Sequence, residues 1–542
     1  MRGVFTRVRL VVVGFILSLA LASVAAAKDA AFDVRDYGAR PDGKTLGTES
    51  IQQAVDACAA AGGGTVLLAG GKFLTGTIYL KSHVTLKIDA GAVLLGSTAL
   101  RDYPRNVPAV RSYTDNYVNQ SLIAGEDLEN AAIVGRGTID GQGAEFKWDR
   151  EHPYVDRPYG IRLVNCRDVL IEGVHLQNSA MWMQHYLACE QVTLRGITVW
   201  NHSNHNNDGV DIDGCKDVTI AQCVFDSDDD AITMKSTLDR ATENVAISDC
   251  VARSFCNPIK MGTESNGGFV NIAISNCVVT SPGHPRTFGG SGRGLAGIAL
   301  ELVDGGRLDG ITISNITIKG VSVPIFMRLA NRARPFKEGM PAPGMGTLKN
   351  VMVNNIVATD VSPLGCSITG LPEHPVENVS LNNIQLAFEG GGEADRAAKE
   401  VPELPQQYPE SGMFGQLPAY GFYCRHVKGL KLGNVTLRTA KPDLRHALVC
   451  DDVEELAIEG LDAVYAPGAA AILHLIQTRG ALIRGCRPRA SGGTFLKLEG
   501  DGSRDVVLLG NDLSQVGKIA ETAPDVRPDA LSQSANLVAG GR

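Results

Sequence analysis

Aromatic residues are scarce in this chain, 6% of 542 positions, which suits a narrow core of Val, Ile, Leu and Cys rather than broad layers packed on large rings. Long apolar runs are missing after the first 24 residues, so no later segment can serve as a membrane span. A basic stripe is also missing: 51 Lys and Arg stand against 59 Asp and Glu, a net charge of −8. Such a balance argues against nucleic acid as partner, because nothing is concentrated to neutralise phosphates. It leaves open an acidic glycan bound by a local basic loop. No Cys-x-x-Cys pair occurs among the twelve cysteines, which removes the usual zinc signature.

What the chain does have is a repeat. Short blocks with alternating apolar residues begin at Val169, Val192, Val218, Val245, Ile272, Ile311, Val351, Val379, Leu430, Leu456, Ala481 and Val507, the first intervals being 23, 26, 27 and 27. Alternation within a block describes a strand with one buried face, and recurrence at this period describes strands stacked coil on coil. The fold expected is all-β, a single-stranded right-handed parallel β-helix. Pairs such as Asn276-Cys277, Asn315-Ile316, Asn355-Ile356 and Asn383-Ile384 place a polar residue where each coil turns and an inward residue after it. Cys223, Cys250 and Cys277 lie 27 residues apart at one phase of successive coils. Stacked, buried free thiols are therefore expected, with room for one disulfide elsewhere.

The N-terminus reads as an export signal, residues 1–27. Arg2, Arg7 and Arg9 precede an apolar run from Leu10 to Val24, and Ala25-Ala26-Ala27 supplies a small-residue cleavage site. The mature chain is expected from Lys28, in the periplasm or outside the cell, with no membrane span after cleavage. Residues 28–542 then form one solenoid, its N-terminal cap and first coils at 28–95. A short amphipathic helix over 51–61, ending at Gly62-Gly63-Gly64, is expected to plug the open end of the stack, since an uncapped solenoid exposes its core. Insertions at 281–297, 328–347 and 389–420 interrupt the rhythm, and long loops on a rigid scaffold commonly wall a site.

The strongest chemical signal is Asn207-Asp208-Gly209 followed one repeat later by Asp228, Asp229 and Asp230. Neighbouring coils are about 4.8 Å apart, so these carboxylates crowd one patch of surface. Two acids held that close do not both ionise cheaply, which is the condition for splitting a general acid from a base across a glycosidic bond.

At these residues a resemblance emerges. Phe32-Asp33-Val34-Arg35-Asp36-Tyr37-Gly38-Ala39, Gly62-Gly63-Gly64-Thr65-Val66, Gly137-Thr138-Ile139-Asp140-Gly141, Asn206-Asn207-Asp208-Gly209 and Asp229-Asp230-Ala231-Ile232-Thr233-Met234-Lys235-Ser236 resemble, in order, segments of the polygalacturonase-like β-helix proteins of glycoside hydrolase family 28. The likeness runs from about residue 32 to about residue 460. It implies a pectin-lyase-like solenoid and an inverting hydrolase that needs no metal or cofactor. It assigns Asp229 as general acid, and Asp208 and Asp230 as the carboxylates that orient and deprotonate the attacking water. Asp228 stands where the family has glycine.

Two departures limit what carries over. Cys256-Asn257 occupies the place of a His-Gly pair, and Ala299-Leu300-Glu301 the place of an Arg-Ile-Lys clamp for a galacturonate carboxylate. An ordinary polygalacturonase is therefore not expected; a neutral sugar such as terminal rhamnose, or a cation supplied from Lys260 or from Arg328, Arg332 and Arg334, would fill the gap. Candidate substrate-binding residues are Asn207, Lys260, Asn257, His185, Trp182 and Glu264. Trp182 could stack on a sugar, with Gln184 and His185 beside it; His202 and His205 lack metal-ligand spacing; and Tyr408, Phe414, Tyr420 and Arg425-His426 could form a subsite wall or a packed lid. The expected partner is a polysaccharide or oligosaccharide, cleaved by an exo-acting enzyme if the loops close one end of the groove. Alternatives are a polysaccharide lyase on the same fold, with the aspartates holding Ca²⁺ and Lys260 as base, and a non-catalytic glycan-binding solenoid. No residue pattern indicates the oligomeric state.

Overall fold

The structure is a computed structural model that describes residues 31–116, 118–149, 151, 156–284, 292–489 and 492–538. The expected export segment lies outside the described residues, as does 285–291 within the first insertion. No helix of the described residues is long and apolar enough to cross a membrane.

Every pairing between named strands is parallel, and nearly all of these strands join one continuous sheet wound coil over coil as a right-handed β-helix. The register follows the repeat. Val169 pairs with Val192, and the column continues through Val218, Val245, Ile272, Ile311, Val351, Val379, Leu430, Leu456 and Ala481. The last expected position is off by one, because Ala481 pairs with Val506 rather than Val507. The four apolar residues Val506-Val507-Leu508-Leu509 leave the parity of the strand open in sequence, and a slip of one residue exchanges the two faces. Only Val506 and Leu508 are buried.

Inward positions of the coils form one contiguous core of stacked aliphatic side chains. All twelve cysteines are free and buried, so there is no disulfide, and Cys223, Cys250 and Cys277 lie in contact on consecutive coils. The corner asparagines adopt left-handed backbone, with φ of 56° at Asn276 and 58° at Asn315, a conformation Asn tolerates better than most residues. Each amide donates to the one on the coil before: Asn315 to Asn276 at 3.0 Å, Asn355 to Asn315 at 2.9 Å, Asn383 to Asn355 at 2.9 Å and Asn434 to Asn383 at 2.8 Å.

The cap helix spans Thr48–Ala60, three residues earlier than expected, and turns Ile51, Ala54, Val55 and Cys58 into the first coils. Of the insertions, Arg328 belongs to the strand Val321–Leu329 rather than to a loop, and the third is irregular between strands Val376–Gly390 and Ala419–Lys441 except for a 3₁₀ turn at Ala394–Ala398.

Candidate active site

Three consecutive strands, Val210–Asp213, Ile232–Ser236 and Ile259–Ser265, carry the candidate site. Val210, Ile232 and Ile259 are in register. Two residues before each come Asp208, Asp230 and Asn257, which therefore stack on adjacent coils. Ladder bonds hold them there, from Gly209 N–H to the Asp230 carbonyl at 2.9 Å and from Ala231 N–H to the Asn257 carbonyl at 3.0 Å. One residue on from Val210 and Ile259, Asp211 and Lys260 share a second column with Thr233.

The entry turn is braced from below. Asn207 gives its amide hydrogens to the Ser179 and Met181 carbonyls at 2.9 and 3.0 Å and accepts from Asn204 N–H, which uses its bonding capacity inside the protein. This corrects the expectation that Asn207 contacts substrate: it shapes the turn that presents Asp208. Asn257 likewise positions a carboxylate, donating to Asp230 Oδ1 from its backbone at 3.1 Å and its side chain at 2.9 Å, while its own oxygen accepts from Ala296 N–H.

The environments of the adjacent acids are opposed. Burial, reinforced by the charge of Asp230, lifts the Asp229 carboxyl to about 6. Asp230 is buried too, but Lys260 at 3.1 Å, Lys235 and the Asn257 amide outweigh that and hold it below the ordinary carboxylate range. One group keeps its proton where its neighbour has lost it, which is how acid and base roles separate. Asp208 and Asp211 are both raised well above the ordinary range, by burial first and then by neighbouring carboxylates, and neither Asp211 oxygen has a hydrogen-bond partner.

Two lysines run through this acidic ground. Lys235 lies 3.6 Å from Asp211 and 3.3 Å from Glu264. Burial opposes the charge of Glu264, yet Lys235 and Arg334 keep its carboxyl well below the ordinary range. Lys260 is the expected replacement for the missing carboxylate clamp. It is in the site, but its ammonium is already set against three carboxylates: Asp230, Glu301 at 3.6 Å and Glu410 at 3.7 Å. The arginines are committed as well. Arg328 is buried and bonded to Thr369 and to backbone carbonyls of Gly370, Glu403 and Leu404, Arg332 pairs with Asp304, and Arg334 pairs with Glu264. Lys260, Arg332 and Arg334 are each matched by carboxylates of the chain, while Arg328 is spent on neutral acceptors in a buried place.

His185 and Trp182 do not present open faces. His185 is fully buried and bonds Asp213 at 3.1 Å, its ring 5.6 Å from Tyr159 and 5.2 Å from Trp182. Trp182 is 7% exposed, with the Lys235 ammonium 4.7 Å from its ring centroid, so it packs the floor beneath Asp208 rather than offering a stacking platform. His202 bonds Asp226 at 2.8 Å. In the third insertion Phe414 lies under Arg328 as part of a packed cluster, whereas Tyr408 is half-exposed. Among the described residues, Asp229, Asp230 and Cys256 bring ligand atoms within 4.8 Å of one another. A calcium ion takes six to eight oxygens, and one carboxylate paired with Lys260, a second carboxyl lifted to about 6 and a thiol do not fit one.

Residues missed in the sequence had unequal signals. Asp211 sits in Val210-Asp211-Ile212-Asp213, where two acids alternate with two core residues and so share the groove face of one strand; that period was readable. Glu410 had no such signal, since it reaches Lys260 from an irregular loop.

Comparison with known proteins agrees with the fold. The sequence model described as glycosyl hydrolases family 28 matches residues 58–406. A probable polygalacturonase of Vitis vinifera is 35% identical over 216 residues, 38% of this chain and 44% of that protein. An exo-poly-alpha-D-galacturonosidase of Dickeya chrysanthemi is 31% identical over 254 residues, 37% of this chain and 41% of that protein. The chain thus spans less than half the length of these curated relatives. In three dimensions it resembles a hyperthermoactive exopolygalacturonase from Thermotoga maritima, with a TM-score of 0.55 and 24% identity over 67% of this chain and 88% of that one, a likeness of fold.

Proposed function

The chain belongs to glycosyl hydrolases family 28, and on that premise we propose that it cleaves O-glycosidic bonds of a pectin-related polysaccharide by single displacement with inversion. The observation that carries this reading is the opposed pair at Asp229 and Asp230, one carboxyl lifted to about 6 and the next held low. Asp229 protonates the departing glycosidic oxygen. Asp230, ionised against Lys260 and oriented by Asn257, takes the proton of the attacking water. Asp208, whose carboxyl burial and the charges of Asp211, Asp229 and Asp230 hold well above the ordinary range, orients that water without adding a second full charge. The N-terminal signal motif supports export as the setting.

The sugar at the cleavage point is neutral in this proposal. Lys235, Lys260 and Arg334 are each set against carboxylates of the chain, and Glu301 stands where the family's clamp would hold a lysine. A further carboxylate brought into such a pocket would be buried without a partner, which costs several kcal/mol. Incubation with purified pectic and neutral glycans, with product analysis by NMR, tests the proposal. Saturated products released with inverted anomeric configuration, in chelator as well as without, are expected. Unsaturated ends restored only by Ca²⁺ would indicate a lyase, and binding without cleavage an adhesin-like solenoid.

A further inference from the structure

The third insertion does more than wall the groove: over the span Tyr408 to Glu410 it covers the cations of the site. Glu410 extends to within 3.7 Å of the Lys260 ammonium, and one of its carboxylate oxygens is buried without a hydrogen-bond partner. Two residues earlier, the Tyr408 ring lies 5.8 Å from the same ammonium and 5.4 Å from the Arg332 guanidinium. Glu301 also meets Lys260, from the next coil, and neither of its oxygens has a hydrogen-bond partner. Nothing about the fold requires Glu410 here. The coil stack is complete without it, and the loop is pinned elsewhere, through Arg328 to the Glu403 and Leu404 carbonyls and through Arg425 to the Val401 carbonyl.

We propose that Glu410 is a specificity-determining residue: its carboxylate occupies, on Lys260, the place that the carboxylate of a uronate sugar would take, and so excludes uronates from the catalytic subsite. The inference rests on the reading that a glycan binds in this groove. A lysine ammonium is a compact point charge with three donors, so each carboxylate of the chain held against it leaves less for a ligand. A uronate entering beside Asp229 and Asp230 would have to displace Glu410 or remain unpaired, whereas a neutral or esterified sugar meets no such contest. Removing the charge at Glu410 alone should convert Lys260 into a carboxylate site.

Calorimetric binding at pH 8, where the Glu410 carboxyl, raised by burial to about 7, is ionised, separates these cases. The probes are digalacturonate and its dimethyl ester, and the proteins carry Asp229→Asn so that nothing turns over. The ratio of acid to ester affinity should rise about tenfold or more in Glu410→Gln. It should rise less in Glu410→Asp, whose shorter arm keeps the charge, and not at all in Glu403→Gln, a glutamate of the same insertion that pairs with Arg425 and His426. An unchanged ratio in Glu410→Gln, or no acid binding in that variant, overturns the proposal; so does an equal rise in Glu403→Gln. Should the parent chain cleave no glycan at all, the glycosidase reading fails, while the ratio still decides the role of Glu410.

Discussion

Two columns of stacked polar side chains run through this solenoid, and they behave oppositely. At one corner Asn276, Asn315, Asn355, Asn383 and Asn434 bond amide to amide across exposed coils. At the groove, Asp208 and Asp230 stack by the same coil geometry with Asp211 and Asp229 beside them, all buried except Asp229, which is partly exposed. An amide both donates and accepts, so repetition satisfies it; a carboxylate only accepts, so repetition raises its neighbours' proton affinity. The first column holds the coils together. The second is tolerated at a cost in stability, offset by Lys235 and Lys260, and that cost makes it the candidate functional site.

The largest test of the contrast is Asp229→Asn. Turnover on the best glycan substrate should fall about 10²–10⁴-fold with unchanged circular dichroism, whereas Asp228→Asn, on the same turn, should cost less than tenfold; equal losses would place the acid at Asp228. Next in size is Lys260→Met, which leaves Asp230, Glu301 and Glu410 uncompensated. A loss of roughly 3–5 kcal/mol at pH 7 is expected, shrinking toward pH 4 as the carboxylates take up protons, read as the gap between thermal midpoints of variant and parent.

Smaller, and opposite in sign, is the stability of Asp229→Asn. Its parent carboxyl is raised to about 6 from an ordinary 3.8. Its stabilising contribution is complete below the unfolded value and is lost as pH rises through about 6. The variant should therefore gain on the order of 1–3 kcal/mol over the parent at pH 7.5 and almost nothing at pH 3.5. The same titration predicts that turnover declines on the alkaline side of about pH 6, as the acid loses its proton. The smallest effect is Asn355→Ala, which breaks two ladder bonds and leaves an alanine on left-handed backbone without the amide's help. About 1–2 kcal/mol of stability should be lost, with kcat unchanged. A change in kcat there would mean that the two columns are mechanically linked.

Particular residues show where reading the chain succeeded. Val169 to Ala481 could be aligned because a strand buried on one face must alternate, and a solenoid must repeat that alternation at nearly constant length. The slip at Val506 came where alternation failed. Asp208, Asp229 and Asp230 could be placed together because adjacent coils convert a spacing of about one repeat into about 4.8 Å. Asn207, by contrast, belongs to the same short motif as Asp208 yet faces the protein, and only the carbonyls of Ser179 and Met181, a coil away, decide that.

By itself, then, the sequence determined the coil, its register over most of its length, the buried thiols and the clustering of Asp208, Asp229 and Asp230, because all of these follow from local alternation and a short repeat. The partners of Lys260 were decided only by tertiary structure. A lysine between Asp230, Glu301 and Glu410 reads in sequence as a free cation, since those residues lie 30, 41 and 150 positions away and one comes from an irregular loop. Charge pairing in a buried groove depends on distances of a few ångströms in low dielectric, and no periodicity along the chain encodes where an insertion comes to rest.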